Sequence, residues 1–165
     1  MSIPISWIKA LLSVVLVAWA LWLAMLWQPV RQVELHTLNL LKRASSRDWT
    51  AIEAMMAPDY RDAWNADPAT AIDEARQLFS HFFALQIAAL EPLHVTEEQD
   101  QWHAAGAVGI FGSGTPVAHA VMDETREAKG PFVFRWRKSG TWPWQWSLVA
   151  VGHEGLAVKF GRKSP

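Results

Sequence analysis

Apolar positions fall along this 165-residue chain in three regimes: unbroken, helical and alternating. The unbroken regime comes first. From Ala10 to Trp27 the sequence ALLSVVLVAWALWLAMLW carries no charge, and Ser13 is its one polar side chain. As a helix it is about 27 Å long, close to the hydrocarbon thickness of a bilayer. It is apolar on every side, whereas a core helix of a soluble domain keeps a polar face. Extension back to Ile3 adds only Lys9, which can snorkel, and Trp7 and Trp27 stand where indoles favour the membrane interface. Residues 3–28 therefore read as a single span in a lipid bilayer, with 1–29 as an anchor. A cleaved secretory signal is the rival. Lys9 before an apolar run fits it, but the run is long, and bulky Trp and Leu occupy the places where small residues would mark cleavage. Arg31, Lys42, Arg43 and Arg47 come after the span, which by the positive-inside rule points the next domain to the cytoplasm. A short tail with one Lys ahead of the span is also the form of a signal-anchor that exports the domain behind it, and an extracytoplasmic domain is the expectation adopted.

The helical regime starts at residue 30. Leu35, Leu38, Leu41 and Ala44 recur every three residues beside Leu40, as in an amphipathic helix. Ser45-Ser46 can cap a new start, and Asp48 suits its first turn. Trp49, Ile52, Met55 and Met56 then form the buried face of a second short helix, which Pro58 ends. In NADPATAIDEARQLFSHFFAL, Asp67 is an N-cap and Pro68 fits the first helical position. Ile72, Ala75, Phe79 and Phe82 face one way, and this third helix passes into strand after Phe83.

Beyond it the pattern alternates. Strands are expected over Ala84–Thr96, Gln101–Gly112, Val117–Glu124, Pro131–Lys138 and Thr141–His153, broken by EEQD, GSGTP, REAKG and KSG. Helices first and strands in sequence after them give an α+β plan, about three helices packed on one face of a curved antiparallel sheet. The plan fills residues 30–156 and leaves 157–165 as a basic tail. On the last strand Trp142, Trp144, Trp146, Leu148 and Ala150 share a face, and on its neighbour Phe132, Phe134 and Trp136 do. These aromatics are expected to line the inside of the sheet, as core or as the wall of a pocket.

Charge and composition narrow the function. Residues 1–47 carry a net +4, residues 48–127 a net −11 and residues 128–165 a net +6. An acidic middle argues against a nucleic-acid partner. The basic ends suit anionic headgroups, or neutralisation across paired strands. The sequence has no cysteine, which removes disulfides, zinc–thiolate sites and thiol catalysis.

The order of elements resembles the nuclear transport factor 2-like (NTF2-like) superfamily, over roughly residues 33–155. The residues that carry the resemblance are SSRDWTAIEAMMAPDYRDAW, DPATAIDEARQLFSHFF and the closing FVFRWRKSGTWPWQWSLVAVG. It implies a cone-shaped α+β fold with a pocket between helices and concave sheet, and commonly a homodimer packed through the sheet. The superfamily includes isomerases, dehydratases, cyclases and association domains, so the fold alone assigns no activity. The Tyr and Asp pair of its ketosteroid isomerases has no matching motif here. Tyr60, the only tyrosine, lies in the corresponding region after the second helix.

His119 is the acid/base candidate, because an imidazole titrates near neutrality. On the expected strand it shares a face with Asp123, yet four residues of strand span about 13 Å, so the two cannot bond directly. A histidine hydrogen-bonded in the sheet is the plain alternative. His81 reads as a partly exposed helix residue, and His153 and Glu154 point to opposite faces. No HExxH or two-His-plus-carboxylate spacing occurs, so neither metal nor cofactor is expected. GIFGSGTP lacks the Gly-Lys-Ser/Thr that grips phosphates and reads as a hairpin turn. Trp64, Trp102, Trp136 and Trp146 can line an apolar pocket for a hydrophobic small molecule, or simply fill a core. The expected function is a membrane-anchored small-ligand-binding or protein-association module without catalysis. The alternative is a small-molecule isomerase, dehydratase or cyclase that uses His119 or Asp123 with Tyr60.

Overall fold

The computed structural model describes residues 5–128 and 130–153, with side chains from Leu11 onward except Leu26; the basic tail 157–165 lies outside the described residues. It is an α+β structure in the order α1 Ile5–Leu26, α2 Pro29–Ser45, α3 Trp49–Met55, α4 Pro68–Phe79, β1 Phe82–Ala89, β2 His94–Glu98, β3 Gln101–Gly106, β4 Val108–Gly114, α5 Pro116–Glu127, β5 Phe132–Lys138 and β6 Trp146–His153. Strands β2, β3, β5 and β6 pair in that order in one antiparallel sheet, and β1 pairs with β4 in a second.

The early helices form where the sequence signals them. Pro29 opens α2 and Pro68 opens α4, whose N-cap Asp67 accepts from Thr70 N. The start of α3 is capped by Asp48, which accepts from Ala51 N, rather than by Ser45-Ser46. The buried face of α2 also differs from the expected stripe. Val33, Thr37, Leu40 and Leu41 are buried, while Leu35 and Leu38 remain partly exposed. Positions spaced strictly by three drift round a helix of 3.6 residues per turn; spacings of three and four together stay on one face.

Four strand expectations are corrected, the last of them, over Thr141–His153, shortened to β6. The segment Val117–Glu124 lies within α5, whose inward residues Ala118, Val121 and Met122 recur at helical spacing after Pro116 at the first helical position. The long strand expected over Ala84–Thr96 is two, β1 and β2, parted by a bend at Leu90-Glu91 and by Pro92. The strand expected over Gln101–Gly112 is also two. It breaks at Ala107, and β4 turns back to pair with β1 instead of continuing a meander. Gly112 allows that return. Its φ is +150°, and a Cβ there would lie 1.9 Å from Ala84 O.

Two strand edges are covered, and a third is charged. The stretch 57–63 runs along β6, with Ala57 N, Arg61 N and Ala63 N donating to Leu148 O, Val149 O and Val151 O at 2.8–3.0 Å. The C-terminal end of α2 fastens β1. There Ser45 Oγ accepts from Ile87 N at 2.8 Å and donates its one proton to Leu41 O at 2.9 Å, with Ile87 O also near at 3.2 Å, while Arg47 donates to Phe82 O. The β2 edge carries Glu97 and Glu98, a charged edge that discourages further pairing.

Between α2 and the larger sheet lies the main core, which includes Val33, Leu40, Tyr60, Phe134, Trp136, Trp146 and Leu148. A second, smaller cluster joins α5 to Phe82. Helix α1 belongs to neither. Among the described residues no single helix is long and apolar enough to cross a membrane; Leu11–Met25 and α2 meet that measure only together, as a pair bent by 68°.

Candidate functional site

The interior is organised by one indole. Trp136 on β5 is fully buried and donates from Nε1 to Thr37 Oγ1 at 2.9 Å, and Thr37 in turn donates to Val33 O at 2.9 Å. Both polar groups are thereby satisfied where an unpaired one would be costly. His36, the neighbour of Thr37 on α2, tilts against the Trp136 ring at 5.6 Å. Burial holds the His36 pKa below its ordinary value, and a hydrogen bond to the backbone of Trp144 partly opposes that. Trp102 is paired in register with Trp136, and its ring meets Trp146 edge-on at 6.3 Å. Trp146 is buried, its Nε1 donating to Pro143 O at 2.6 Å. Trp64 sits half-buried in the loop before α4, where its backbone N donates to Asp62 Oδ1. Of the four expected pocket residues, Trp102, Trp136 and Trp146 thus come together in packed core.

The acid/base candidates do not converge. His119 and Asp123 are one helical turn apart on the exposed side of α5, and Asp123 pairs with Arg126 at 3.1 Å. The strand reading of their separation is therefore replaced by a helical one. Tyr60 lies in the main core, away from the α5 cluster. Burial, and secondarily the charge of Asp62, pushes its phenol pKa far up, so it stays protonated at neutral pH. His81 lies beyond the end of α4 and not on it. Its Nδ1 is 3.3 Å from Thr115 Oγ1, and its carbonyl accepts from Thr115 N, which ties down the start of α5. His153 is buried, with Nε2 3.0 Å from Gly130 O. Among the described residues no group of three or more His, Asp or Glu is placed to hold a metal ion.

The surface has two concavities near these elements. One of about 160 Å³ lies between β4, α5 and the ends of β5 and β6, against Gly109, Met122, Phe132 and His153. The other, about 380 Å³ and open, is a groove between α2 and β1, with Leu38, Leu41, Lys42 and Ala89. Neither is lined by the four tryptophans.

The sequence pattern hid the surface that stands out most. Trp142 and Trp144 are not on β6, which begins at Trp146. Pro143, which has no N–H for a ladder, separates them. Their rings stack on each other at 5.2 Å and 12°, and they are 54% and 57% exposed. Pro143 is the signal that the alternating pattern has ended.

No protein-family model matches the sequence, and no curated protein matches it significantly. Solved structures do match in fold. The chain is similar to Bd1075 of Bdellovibrio bacteriovorus, with 9% identity and a TM-score of 0.56 over 76% of this chain, which spans 41% of that protein. It is similar to the CaMKII hub of S. rosetta, with 16% identity and a TM-score of 0.52, covering 78% of this chain and 98% of the hub. It is also similar to an NTF2-like protein of Pseudomonas putida KT2440, with 17% identity and a TM-score of 0.50, covering 73% of this chain and 83% of that one. The fold behind α1 is NTF2-like.

Proposed function

We propose that this chain is a non-catalytic protein-association module of NTF2-like fold, held at a bilayer surface by α1. The observation that carries the reading is the surface of α1. Leu11, Leu12, Val14, Val15, Leu16, Val17, Trp19, Leu21, Trp22 and Met25 are each more than half exposed, on every side of the helix. Such a surface requires an apolar surrounding that the other described residues do not provide. Helix α2 cannot share in a span, because Val33, Thr37, Leu40 and Leu41 are committed to the domain core. The helix that inserts is then α1 alone, whose 22 residues extend for about 33 Å.

Two features favour association over chemistry. Tyr60 sits in the main core, apart from His119 and Asp123 on the exposed side of α5. The indoles that could have walled a ligand site are packed, with the N–H groups of Trp136 and Trp146 already bonded inside the protein. With these indoles packed, the outer surface is the part offered to partners, a second copy of the chain included.

Insertion can be tested by magnitude. Residues 11–25 contain eight Leu and Val, which together favour insertion by roughly 2.5–5 kcal/mol, while an Arg and an Asp at the centre each oppose it by about 3 kcal/mol. The wild-type chain is expected to remain with membranes after alkaline carbonate extraction, and the Leu16→Arg/Val17→Asp variant to appear in the supernatant. Release of both, or retention of both, would overturn the anchor.

A further inference from the structure

We infer that the stacked pair Trp142–Trp144 is a second lipid contact, an interfacial foot that sets the domain's orientation on the bilayer; the inference rests on α1 being the anchor. Three observations lead to it.

The first is that the pair is held outward by a built loop. Gln145 closes it, with Trp142 N donating to Gln145 Oε1 at 3.0 Å and Gln145 N donating to Trp142 O at 3.1 Å. Ser139 N donates to Gln145 O at 2.9 Å, and the buried Trp146 grips Pro143 O from below. Two indoles fixed in water with no core to enter have already lost the freedom that binding would cost.

The second is position. The backbone of Trp144 meets His36, in the first half of α2. Helix α2 leaves α1 at a bend of 68°, so the seven steps from Pro29 to His36, roughly 10 Å of helix, rise only about 4 Å along the axis of α1. If α1 stands across the bilayer, α2 lies nearly along its surface, and the loop beside His36 is carried to the headgroup level. Trp27, also 57% exposed, stands at the bend itself.

The third is chemistry. Indoles concentrate at the boundary between hydrocarbon and water, where the ring is apolar and the N–H stays wet. Between Gly130 and His153 the chain carries Arg135, Arg137 and Lys138 and no carboxylate. Arg137 is paired with Asp59, while Lys138 at the start of the loop and Arg135 within β5 are exposed, a charge balance suited to an anionic lipid surface. A soluble partner has no such constraint to lie level with the end of α1.

The absence of cysteine makes the test direct. Thr141→Cys, Val17→Cys and Asp123→Cys chains are each labelled with an environment-sensitive fluorophore and placed in phosphatidylcholine–phosphatidylglycerol vesicles. Quenching is read with nitroxides at the lipid headgroup and deep in the acyl chain. The label at 141 is expected to be quenched by the headgroup nitroxide roughly threefold more than the label at 123. Trp142→Ser/Trp144→Ser in the Thr141→Cys chain should abolish that difference while leaving deep quenching at 17 unchanged. Deep quenching at 17 with equal quenching at 141 and 123 would overturn the lipid foot and leave the anchor standing. No quenching at 17 would overturn the anchor, and with no quenching at 141 either, the foot falls with it. A blue shift at 141 without lipid quenching would assign the pair to a protein contact and also overturn the inference.

Discussion

At the scale of single residues, the stability of the domain turns on Trp136 and its partner. Removing the indole by Trp136→Ala is expected to cost about 3–5 kcal/mol, the usual range for a large aromatic in a packed core. Thr37→Val keeps the shape but strands the indole N–H, at about 1–3 kcal/mol. Denaturant titration of the full chain in detergent, with Trp136→Phe completing a double-mutant cycle, should show that the two losses do not add. Additive losses would mean that the bond at 2.9 Å contributes nothing. His36 supplies the pH dependence. Its folded pKa lies below the ordinary 6.5, so the unfolded chain takes up the proton first as pH falls. Stability should be flat in this respect above about pH 7.5, and should decline through 6.5 toward the folded value. His36→Gln should shrink the difference in unfolding midpoint between pH 7.5 and 5.5, and an unchanged difference would refute the assignment. The burial of Trp136 was legible in the alternation Phe132, Phe134, Trp136. Its bond to Thr37 was not, because the two residues are 99 apart in sequence and nothing local connects them.

Elements were legible where punctuation marked them. Asp67-Pro68 announced α4, and Ser139-Gly140 announced the turn after β5. The same punctuation, Thr115-Pro116, stands ahead of α5, but a period-two pattern in Val117, His119, Val121 and Asp123 competes with it. Ala118, Val121 and Met122 supply the helical alternative in the same residues. The strand expectation carried its error into the site, since it placed His119 on a sheet face. Sheet order was not legible either, because the return of β4 to β1 is a non-local pairing, made possible by Gly112 and the break at Ala107. How α2 fastens β1 can be tested separately. Ser45→Ala leaves Ile87 N without its partner and should lower stability by about 1–2 kcal/mol. The amide of Ile87 in that variant should exchange faster than those of β5; equal protection would show that β1 is held by β4 alone.

For the whole molecule, the sequence pattern predicted an α+β domain behind an apolar helix, and the NTF2-like fold agrees with the domain part. The interior could be read as core or pocket from sequence, because both want the same aromatics. In the structure Trp102, Trp136 and Trp146 touch each other or their neighbours in the main core. The domain gathers apolar residues into two buried clusters while α1 keeps its own outside, and a bilayer is the surrounding proposed to reconcile the two. The most direct measurement of that claim is hydrogen exchange on the full chain in lipid nanodiscs. Amides of Leu11–Met25 in α1 are predicted to exchange as slowly as those of Val33–Leu41 in the core of α2, because lipid excludes water from them. Exchange of α1 within seconds, with α2 fully protected, would show that α1 stands in water and would contradict the account.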